Sequence, residues 1–421
     1  MARFLYTLVF HLLLPVVLLR LLWRGRQAPA YRQRWGERFG LGIPAQAGGL
    51  WVHAVSVGET LAAAPLVNAW RAAHPGQPVF VSTMTPTGSA RVRALWGETV
   101  NHAYAPYDLP WAWALFLRRV RPAALVIMET ELWPNMVAAA RARGIPVLLA
   151  NARLSARSAR GYARVGALAR PMLAQLSVIA AQDAATAGRF LELGVAAARV
   201  PVTGSLKFDI TLPEDLPARA AVLRRDWQLQ GRPVWVAAST HEGEDELVLA
   251  AFARLRASHP TALLLLVPRH PERFDAVARR VAEAGFTPVR RSRHEAVTPA
   301  TAVFLGDSMG ELLLWYALAD VALVAGSLRP PLGGHNLLEP LALGVPALSG
   351  PHVTNFQAIA DELAAAGALQ LVAAPQLAAA VARLLDDSAL RARQVAAGHE
   401  VLARNRGALA RQLALVGVDT P

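Results

Sequence analysis

A lone carboxylate stands at a predicted strand-to-helix junction early in the chain. The apolar residues 50–55 predict a buried strand, Gly58 is predicted to allow a tight turn, and the apolar spacing that follows predicts a helix. Glu59 therefore lies where the strand gives way to the helix. Ligands bind to open parallel sheets at the carboxyl ends of the strands. Glu59 is either part of a ligand site or an ordinary first-turn glutamate that interacts with the helix dipole.

Three polar loops in the second half have the chemistry of a nucleotide site. In residues 333–340, two glycines let backbone N–H groups approach a phosphate, and Glu339, about one helical turn after His335, can accept hydrogen bonds from a ribose diol. Residues 306–311 form a second glycine-flanked helix start, and Arg269 can pair with a phosphate or a carboxylate. The sequence contains neither a Walker A lysine motif nor a GxGxxG fingerprint, which disfavours nucleoside-triphosphate hydrolysis and hydride transfer.

Parallel strands are predicted to position these loops. Apolar runs alternate with helical segments, which predicts an α/β fold whose sheets are covered on both faces. Beyond residues 50–55, strands are predicted at 79–82, 123–128, 146–150, 178–181, 200–203, 234–238, 263–267, 303–305, 321–325 and 345–349. The proline-containing stretch 209–232 interrupts the series and is predicted to connect two Rossmann-like halves with a cleft between them. We therefore predict three parts, residues 1–26, 27–210 and 211–421.

The charge of the chain indicates an anionic partner. Lysine and arginine number 43 against 30 acidic residues, which gives a net charge of +13. The charges are spread along the chain, without a basic run, zinc-finger spacing or RNP-like strand, so a nucleic acid is not the predicted partner. The sequence has no cysteine, and its histidines form no close ligand pair, so we predict no metal site.

The N-terminus predicts an attachment to a membrane. Residues 4–23 are almost wholly apolar, and twenty residues are about what a helix needs to cross a bilayer core. Arginines are concentrated at and beyond the far end of this segment, which places the remainder of the chain in the cytoplasm by the positive-inside rule. A helix that lies on the membrane surface and a cleaved signal peptide are the alternatives.

A set of motifs is distributed over nearly the full length of the chain, at residues 30–38, 53–60, 83–88, 128–135, 151–155, 204–208, 239–242, 268–271, 306–311 and 333–340. In this order they resemble the motifs of the 3-deoxy-D-manno-octulosonic acid (Kdo) transferases of lipopolysaccharide biosynthesis. One position departs from the family, because Leu337 stands where the family has a proline. This difference and the unusual preceding loop at 329–332 concern the local conformation of the loop more than the activity.

The resemblance implies a GT-B fold and a transfer of Kdo from CMP-Kdo to a hydroxyl of the tetraacylated lipid A precursor, lipid IVA, with inversion. CMP-Kdo is then the donor substrate, and no cofactor is implied. Glu59 matches the proposed general base, while Glu129 and Lys207 match residues that assist the transition state; Glu131 is the alternative to Glu129. The residues implied to contact CMP are Pro268, Arg269, Met309, Gly310, Glu311, Asn336, Leu337, Leu338 and Glu339.

The same resemblance implies an enzyme on the cytoplasmic side of the bacterial inner membrane, where its basic surface meets lipid phosphates and anionic headgroups. Two other classes of protein remain open on the residues alone. One is a GT-B-like binding or epimerase-type protein that acts on a soluble sugar nucleotide, and the other is a membrane scaffold without activity. The number of Kdo residues that are transferred is also left open.

Overall fold

The computed structural model describes residues 1–417, which divide into two compact units. The first unit comprises Met1–Asp209 and the C-terminal residues from Asn405 on, and the second comprises Ile210–Arg404. Each unit has its own parallel sheet and its own hydrophobic cores. A chain of 421 residues exceeds the size at which one core normally suffices, so two units are the expected solution.

A six-stranded parallel sheet forms the centre of the first unit. The described residues of this unit form eight strands, which are β1 (Gln46–Ala47), β2 (Leu50–His53), β3 (Val79–Thr83), β4 (Asn101–Tyr104), β5 (Val120–Arg121), β6 (Ala124–Met128), β7 (Val147–Ala152) and β8 (Val178–Ala181). Strands β1 and β5 form a separate short pair, and the other six form the main sheet. The order in the main sheet is β4-β3-β2-β6-β7-β8. Strands β2 and β6 are neighbours in register, with His53 opposite Ile127, so the loops that follow them start side by side.

Helices cover both faces of this sheet, which is why most of its strands are buried throughout. The helices of the first unit are α1 (Ala2–Gln27), α2 (Val57–Ala73), α3 (Pro86–Trp96), α4 (Pro110–Arg119), α5 (Pro134–Arg141), α6 (Ala156–Arg164), α7 (Gly166–Leu173), α8 (Ala184–Glu192) and α17 (Ala408–Leu413). Trp51, Phe80 and Phe116 pack against one another in the core on one face. Leu66 and Val67 of α2 lie in the core on the other face.

The predicted N-terminal helix exists, and one side of it packs against the first unit. Within residues 1–417, α1 is the helix that is long and apolar enough to cross a membrane, with a mean hydropathy of 2.1. Phe10, Leu14 and Val17 pack against a buried cluster that contains Tyr107 and Leu109. The helix is therefore attached to the folded unit along its side.

A polar network fixes α1 in this place. The Thr7 hydroxyl lies 3.0 Å from Nδ2 of Asn135, and Nδ2 of Asn135 also donates to the Asp108 carbonyl oxygen at 2.8 Å. The Asp108 carboxylate accepts backbone N–H bonds from Asn135 at 3.0 Å and Met136 at 2.9 Å, which caps the start of α5. Trp111 donates to Nε2 of His11 at 3.2 Å, which gives this histidine of an apolar helix a partner.

The last part of the chain returns to the first unit, although the sequence pattern assigned residues 211–421 to one domain. Asp209 accepts a 2.7 Å hydrogen bond from the backbone N–H of Gly407 and a further one from that of Leu409. The Gln412 side chain accepts from the Asn151 N–H at 2.9 Å and donates to the Gly204 carbonyl oxygen at 3.1 Å. These long-range hydrogen bonds, which no local periodicity reports, place α17 beside the ends of β7 and β8.

The second unit contains a seven-stranded parallel sheet. Its strands are β9 (Val234–Thr240), β10 (Leu263–Pro268), β11 (Pro288–Arg290), β12 (Val303–Leu305), β13 (Val321–Val324), β14 (Ala347–Ser349) and β15 (Leu369–Leu371), in the order β11-β12-β10-β9-β13-β14-β15. Its helices are α9 (Leu216–Asp226), α10 (Asp245–Leu255), α11 (Phe274–Glu283), α12 (Leu312–Leu318), α13 (Leu338–Ala342), α14 (Gln357–Ala365), α15 (Leu377–Asp386) and α16 (Ser388–Asn405). Strand β9 lies inside the sheet, between β10 and β13.

The structure corrects three local predictions and adds strands that were not predicted. The stretch 209–232 is not only a connection, because it contains α9, which packs against α12. Residues 200–203 form a single bridge between Val202 and Ala181 rather than a strand. Gly58 lies inside the first turn of α2, without a left-handed backbone, so it does not make the predicted turn. The sequence pattern also does not indicate β4, β11 and β15, which are edge strands of three or four residues.

Candidate functional site

Glu59 lies in the first turn of α2, the helix that follows the inner strand β2. Its backbone N–H approaches the Ser56 hydroxyl at 3.3 Å, and the Ser56 hydroxyl donates back to Oε1 of Glu59 at 2.8 Å. The other oxygen, Oε2, accepts the Val55 N–H at 2.8 Å. Glu59 therefore does take part in the N-terminal capping of α2, as the ordinary interpretation predicts. The capping contacts use two donors and leave acceptor capacity on the carboxylate.

Two further carboxylates follow the neighbouring strand β6. Glu129 has a left-handed backbone, with φ of 56°, which is costly for a residue with a side chain and is found preferentially at functional sites. Its N–H donates to the Ala150 carbonyl oxygen at 2.9 Å, which ties this turn to β7. Glu131 accepts a 3.2 Å hydrogen bond from the indole N–H of Trp133. The backbone turn at Glu129 and the carboxylate of Glu131 are thus held by separate contacts.

Lys207 lies in a short 3₁₀ turn, Leu206–Phe208, within electrostatic reach of Glu129. The turn is fixed by Oδ1 of Asn151, which accepts the Leu206 N–H at 3.1 Å. Burial lowers the pKa of Lys207, whereas the charge of Glu129 raises it and that of Arg153 lowers it further. The ammonium group therefore lies within electrostatic reach of Glu129. Asn151 itself adopts a left-handed φ of 51°, at the carboxyl end of β7.

The structure brings the predicted residues Glu59, Glu129 and Lys207 together with the alternative, Glu131. Burial raises the pKa of Glu59 to about 7, the hydrogen bonds from Val55 and Ser56 oppose this shift, and the charges of Glu131 and Glu129 add to it. Burial also raises the pKa of Glu131, and the charge of Glu129 adds to that shift. A carboxyl group with a pKa near neutrality can exchange a proton with a substrate at physiological pH.

A buried histidine, His53, packs against Trp133, the partner of Glu131. Trp51 donates to the Ser82 hydroxyl oxygen at 2.8 Å, so the hydroxyl hydrogen is available to Nδ1 of His53 at 2.9 Å. Nε2 of His53 then carries the proton and has no hydrogen-bond acceptor among the described residues. The ring of Trp133 lies edge-on, 4.7 Å from the His53 ring between centroids. The histidine therefore supports Trp133, which in turn orients Glu131, and burial lowers the pKa of His53 to about 3.

Residues 326–337 of the second unit, which overlap the predicted nucleotide loop 333–340, are folded back on themselves. The Gly334 N–H donates to the Gly326 carbonyl oxygen at 2.7 Å. Gly333 has φ of +84°, and a Cβ there would lie 2.7 Å from the Thr354 hydroxyl, so packing already requires a glycine at this position. The two glycines of the predicted phosphate motif therefore have a structural role as well.

Asn336 and Glu339 are joined at the end of this loop. Nδ2 of Asn336 donates to Oε1 of Glu339 at 3.1 Å, and Oδ1 of Asn336 accepts the Leu338 N–H at 3.2 Å. The following helix, α13, begins at Leu338 rather than at His335 as predicted. Burial raises the pKa of Glu339, while Asn336 and the charge of Arg269 oppose the shift. Arg269 and Glu339 are thus brought within electrostatic reach of each other.

In the predicted loop at residues 306–311, the carboxylate of Glu311 is already bound by other protein groups. The Glu311 carboxylate accepts hydrogen bonds from Arg291 at 2.8 and 2.9 Å and from the Ser308 hydroxyl at 2.5 Å, and these contacts hold its pKa below the ordinary value. Glu311 is therefore already bound by an arginine. Met309 is exposed, and Gly310 has a left-handed backbone with open space around its Cα, so backbone groups of this loop are accessible to a ligand.

The structure adds a histidine pair that the sequence pattern does not single out. Nε2 of His241, just after β9, lies 2.8 Å from Nε2 of His335, and the rings are stacked. Burial lowers the pKa of both, to about 3 for His335, so one of the two neutral rings donates to the other. A signal existed in the sequence, since each histidine directly follows a strand or a glycine pair, but the pairing spans 94 residues.

Two arginines that follow the N-terminal helix, Arg34 and Arg38, make contacts within the folded part of the first unit. Arg34 donates to Glu37 at 2.7 Å and to the Ser89 hydroxyl at 2.9 Å. The guanidinium group of Arg38 is buried and lies 4.3 Å from the centroid of the Tyr104 ring. Residues 1–417 contain no group of three or more histidine, aspartate or glutamate side chains placed to hold a metal ion.

Comparisons with known proteins identify the family. Residues 33–210 match the family model described as 3-deoxy-D-manno-octulosonic-acid transferase (kdotransferase). A 3-deoxy-D-manno-octulosonic acid transferase of Haemophilus influenzae is 44% identical over 421 residues, covering 99% of this chain and 98% of the relative. The enzyme of the same description from Bordetella pertussis is 42% identical over 383 residues, covering 87% of each chain.

Solved structures show the same architecture at low identity. A putative UDP-N-acetylglucosamine 2-epimerase from Listeria monocytogenes aligns with a TM-score of 0.56 at 13% identity, covering 88% of this chain and 96% of the epimerase. At that identity the likeness is one of fold, and it confirms the predicted GT-B class with two Rossmann-like domains. The relatives at above 40% identity are transferases, not epimerases. The chain therefore belongs to the family of 3-deoxy-D-manno-octulosonic acid (Kdo) transferases.

Proposed function

We propose that this chain transfers Kdo from CMP-Kdo to a hydroxyl of a lipid A precursor, lipid IVA, with inversion at the anomeric carbon. The observation that carries the proposal is Glu59, a carboxyl group whose pKa is raised to about 7 at the carboxyl end of an inner strand. A direct displacement needs one base for the acceptor proton, and such a base is most effective when its pKa lies near the working pH.

The proposed step balances with the residues of the first unit. Glu59 takes the proton of the acceptor hydroxyl while the hydroxyl oxygen forms a bond to the anomeric carbon of Kdo. The bond from that carbon to the phosphate oxygen breaks, and CMP leaves with the electron pair. Lys207 is proposed to stabilise the negative charge that develops, and Glu129 keeps this lysine in its charged form because the carboxylate raises its pKa.

The choice between Glu129 and Glu131 as assisting carboxylate favours Glu129. Glu129 raises the pKa of both Lys207 and Glu59, whereas Glu131 accepts a hydrogen bond from Trp133 and acts on the pKa of Glu59 but not on that of Lys207. Glu131 is therefore proposed to keep the pKa of the base high rather than to contact the leaving group. Exchange of the two carboxylates, one at a time, for glutamine separates these roles.

The second unit is proposed to bind the CMP part of the donor. Arg269 supplies a cation for the phosphate, and Glu339, held by Asn336, supplies the acceptor for the ribose hydroxyls. Residues 309–311 are proposed to contribute backbone groups, because the Glu311 side chain is bound by Arg291. Pro268, Leu337 and Leu338 complete the proposed CMP contacts as neighbours of these groups in the chain.

We further propose that α1 lies along the surface of the cytoplasmic membrane rather than across it. Its outward side exposes a row of apolar residues, including Phe4 at 73%, Leu12 at 71% and Leu19 at 65% of their surface. Its inward side is fixed to α5 through the contact between Thr7 and Asn135. A helix attached along its side to a folded unit presents one apolar face to lipid, as interfacial helices do.

The absence of cysteine gives a direct test of this arrangement. A cysteine introduced by Ala2→Cys is the only thiol in the chain, so a membrane-impermeant maleimide reports its location. We expect labelling only after the cells are opened, since both ends of a surface helix lie on the cytoplasmic side. Labelling of intact cells whose outer membrane has been removed would show that α1 spans the membrane. Thr99→Cys, in the folded part of the first unit, is the matched control.

The activity is tested with purified chain, CMP-Kdo and lipid IVA in detergent. We expect mass spectrometry of the lipid to show an added Kdo, and this measurement also counts how many are added. The anomeric configuration of the product, determined by NMR, tests the inversion. A chain that consumes CMP-Kdo without any addition to the lipid would contradict the proposed acceptor. Retention of configuration would contradict the single displacement and the role of Glu59 as its base.

A further inference from the structure

A fully buried glutamate, Glu244, binds the backbone at the start of the loop 326–337. Glu244, at the start of α10, has 0% of its surface exposed. Oε1 accepts the N–H groups of Ser327 at 2.9 Å and Leu328 at 2.8 Å. Oε2 accepts those of Gly326 at 2.8 Å and His241 at 3.0 Å. We propose that Glu244 is a positioning residue that sets the conformation of residues 326–337 and thereby the affinity for the donor.

The carboxylate does not serve its own helix. Glu244 stands at the N-cap position of α10, yet its side chain makes no capping hydrogen bond there. The start of α10 is fixed by other groups, because the Thr240 hydroxyl donates to Asp245 at 2.7 Å and Arg273 also donates to Asp245. Three of the four partners of Glu244 instead lie 82 to 84 residues further along the chain. Its hydrogen bonds therefore stabilise the loop after β13.

The four donors match the acceptor capacity of the group. A carboxylate has about four lone-pair positions, and each is used here by a backbone N–H. A buried charge without such partners is strongly unfavourable, so the loop and the carboxylate stabilise each other. Residues 326–328 must therefore adopt a backbone conformation in which their three N–H groups converge on the carboxylate.

The fixed residues carry the proposed donor site with them. Gly326 has φ of +71°, and its carbonyl oxygen accepts the Gly334 N–H at 2.7 Å. A Cβ on Gly326 would lie 2.5 Å from the His335 ring, so ring and loop are in close contact. Asn336 and Glu339 follow directly. A shift of residues 326–328 is therefore transmitted to the groups proposed to bind CMP.

Glu244→Gln tests the role with almost no change in shape. The amide has one oxygen and one NH₂ group, so in either orientation two backbone N–H groups face a donor instead of an acceptor. The inference rests on the proposed function for its ligand. With the full-length variant we expect the Kd for CMP and the KM for CMP-Kdo to rise by about tenfold or more, while kcat changes far less. Glu283→Gln, an exposed glutamate on α11, is the charge-matched control and should leave both constants unchanged.

This division of effects separates positioning from a merely structural role. A residue needed only for folding would lower the active fraction, and so kcat, with an unchanged KM for the donor. That result would overturn the inference, as would equal CMP affinities of the variant and the natural chain. If the natural chain itself does not bind CMP, the proposed donor is wrong, and amide hydrogen exchange decides the positioning role independently.

The exchange measurement uses residues 326–328 as the readout. We expect these amides to be protected in the natural chain and to exchange faster in Glu244→Gln, with the strands of the second unit unchanged. Should that variant fail to fold, Glu244→Asp keeps the charge with a shorter reach and should show the same local loss of protection. Unchanged protection of residues 326–328 in a folded variant would show that Glu244 does not position the loop.

Discussion

Two glutamates occupy corresponding places in the two units. Glu59 follows the inner strand β2 of the first sheet, Glu244 follows the inner strand β9 of the second, and each stands at the start of the next helix. Glu59 accepts one backbone N–H and one hydroxyl hydrogen bond and is 8% exposed. Glu244 accepts four backbone N–H groups and is completely buried.

The number of donors, and not the position in the fold, separates the two roles. Burial, with the charges of Glu131 and Glu129 added to it, raises the pKa of Glu59 to about 7, and its two donors leave lone pairs for a substrate. With four donors, Glu244 has no lone pair left for chemistry and can only support the chain around it. Equivalent junctions of a repeated α/β plan thus supply a base in one unit and a support in the other.

The largest expected effect comes from removing the base. Glu59→Gln keeps the shape and loses the basicity, so the transfer rate should fall by about two to four powers of ten, the usual contribution of general acid-base catalysis. Calorimetry should show unchanged CMP affinity, the opposite pattern to that of Glu244→Gln. A near-native transfer rate would reduce Glu59 to a capping residue and make Glu129 or Glu131 the candidate base.

The pH dependence of the natural enzyme should follow the ionisation of Glu59. The base is active when deprotonated, so kcat/KM should rise with pH through a value of about 7. Below that pH it should fall by about tenfold per unit, because the ionised fraction does. Measurement of kcat/KM between pH 5 and 8 checks this. A flat profile, or one that persists unchanged in Glu59→Gln, would assign the proton transfer to another group.

Glu339 sharpens the comparison from the donor side. Glu339→Ala should weaken CMP binding by about 1.5 to 3 kcal/mol, the usual range for a hydrogen bond to a charged group. Calorimetry with CMP measures it directly. Because Glu339 is proposed to touch the ligand and Glu244 only the loop, amide protection of residues 326–328 should stay intact in this variant. Unchanged CMP affinity would make Glu339 a structural residue of α13.

The last expected effect concerns stability rather than activity or binding. Glu59 has an ordinary pKa of 4.5 when unfolded and about 7 when folded, so the folded state binds the extra proton between these values. The natural chain should therefore lose stability as pH rises from about 5 to 7, by up to about 3 kcal/mol from this group. Glu59→Gln should not show that part of the loss. Urea unfolding at pH 5 and pH 8 measures how the free energy of unfolding changes with pH in the natural chain and in Glu59→Gln. Equal changes in the two proteins would contradict the raised pKa.

The sequence by itself determined the architecture and the places where chemistry can occur. Apolar runs such as residues 178–181 and 303–305 are strands with the predicted bounds, because a strand buried on both faces needs a continuous apolar segment. Polar residues at the ends of such runs indicated Glu59, Glu129 and Arg269, and the glycine pair before a helix start indicated Glu339. The motifs indicated the family, which the relatives confirm.

Only the tertiary structure decided which groups meet and what they become. Local periodicity reports which face of an element is buried, but it carries no information on partners far away in the chain. The return of α17, the attachment of α1 through Asn135 and three of the four donors of Glu244 depend on contacts between distant segments. The raised pKa of Glu59 has the same origin, since desolvation is set by everything that packs around the carboxyl group.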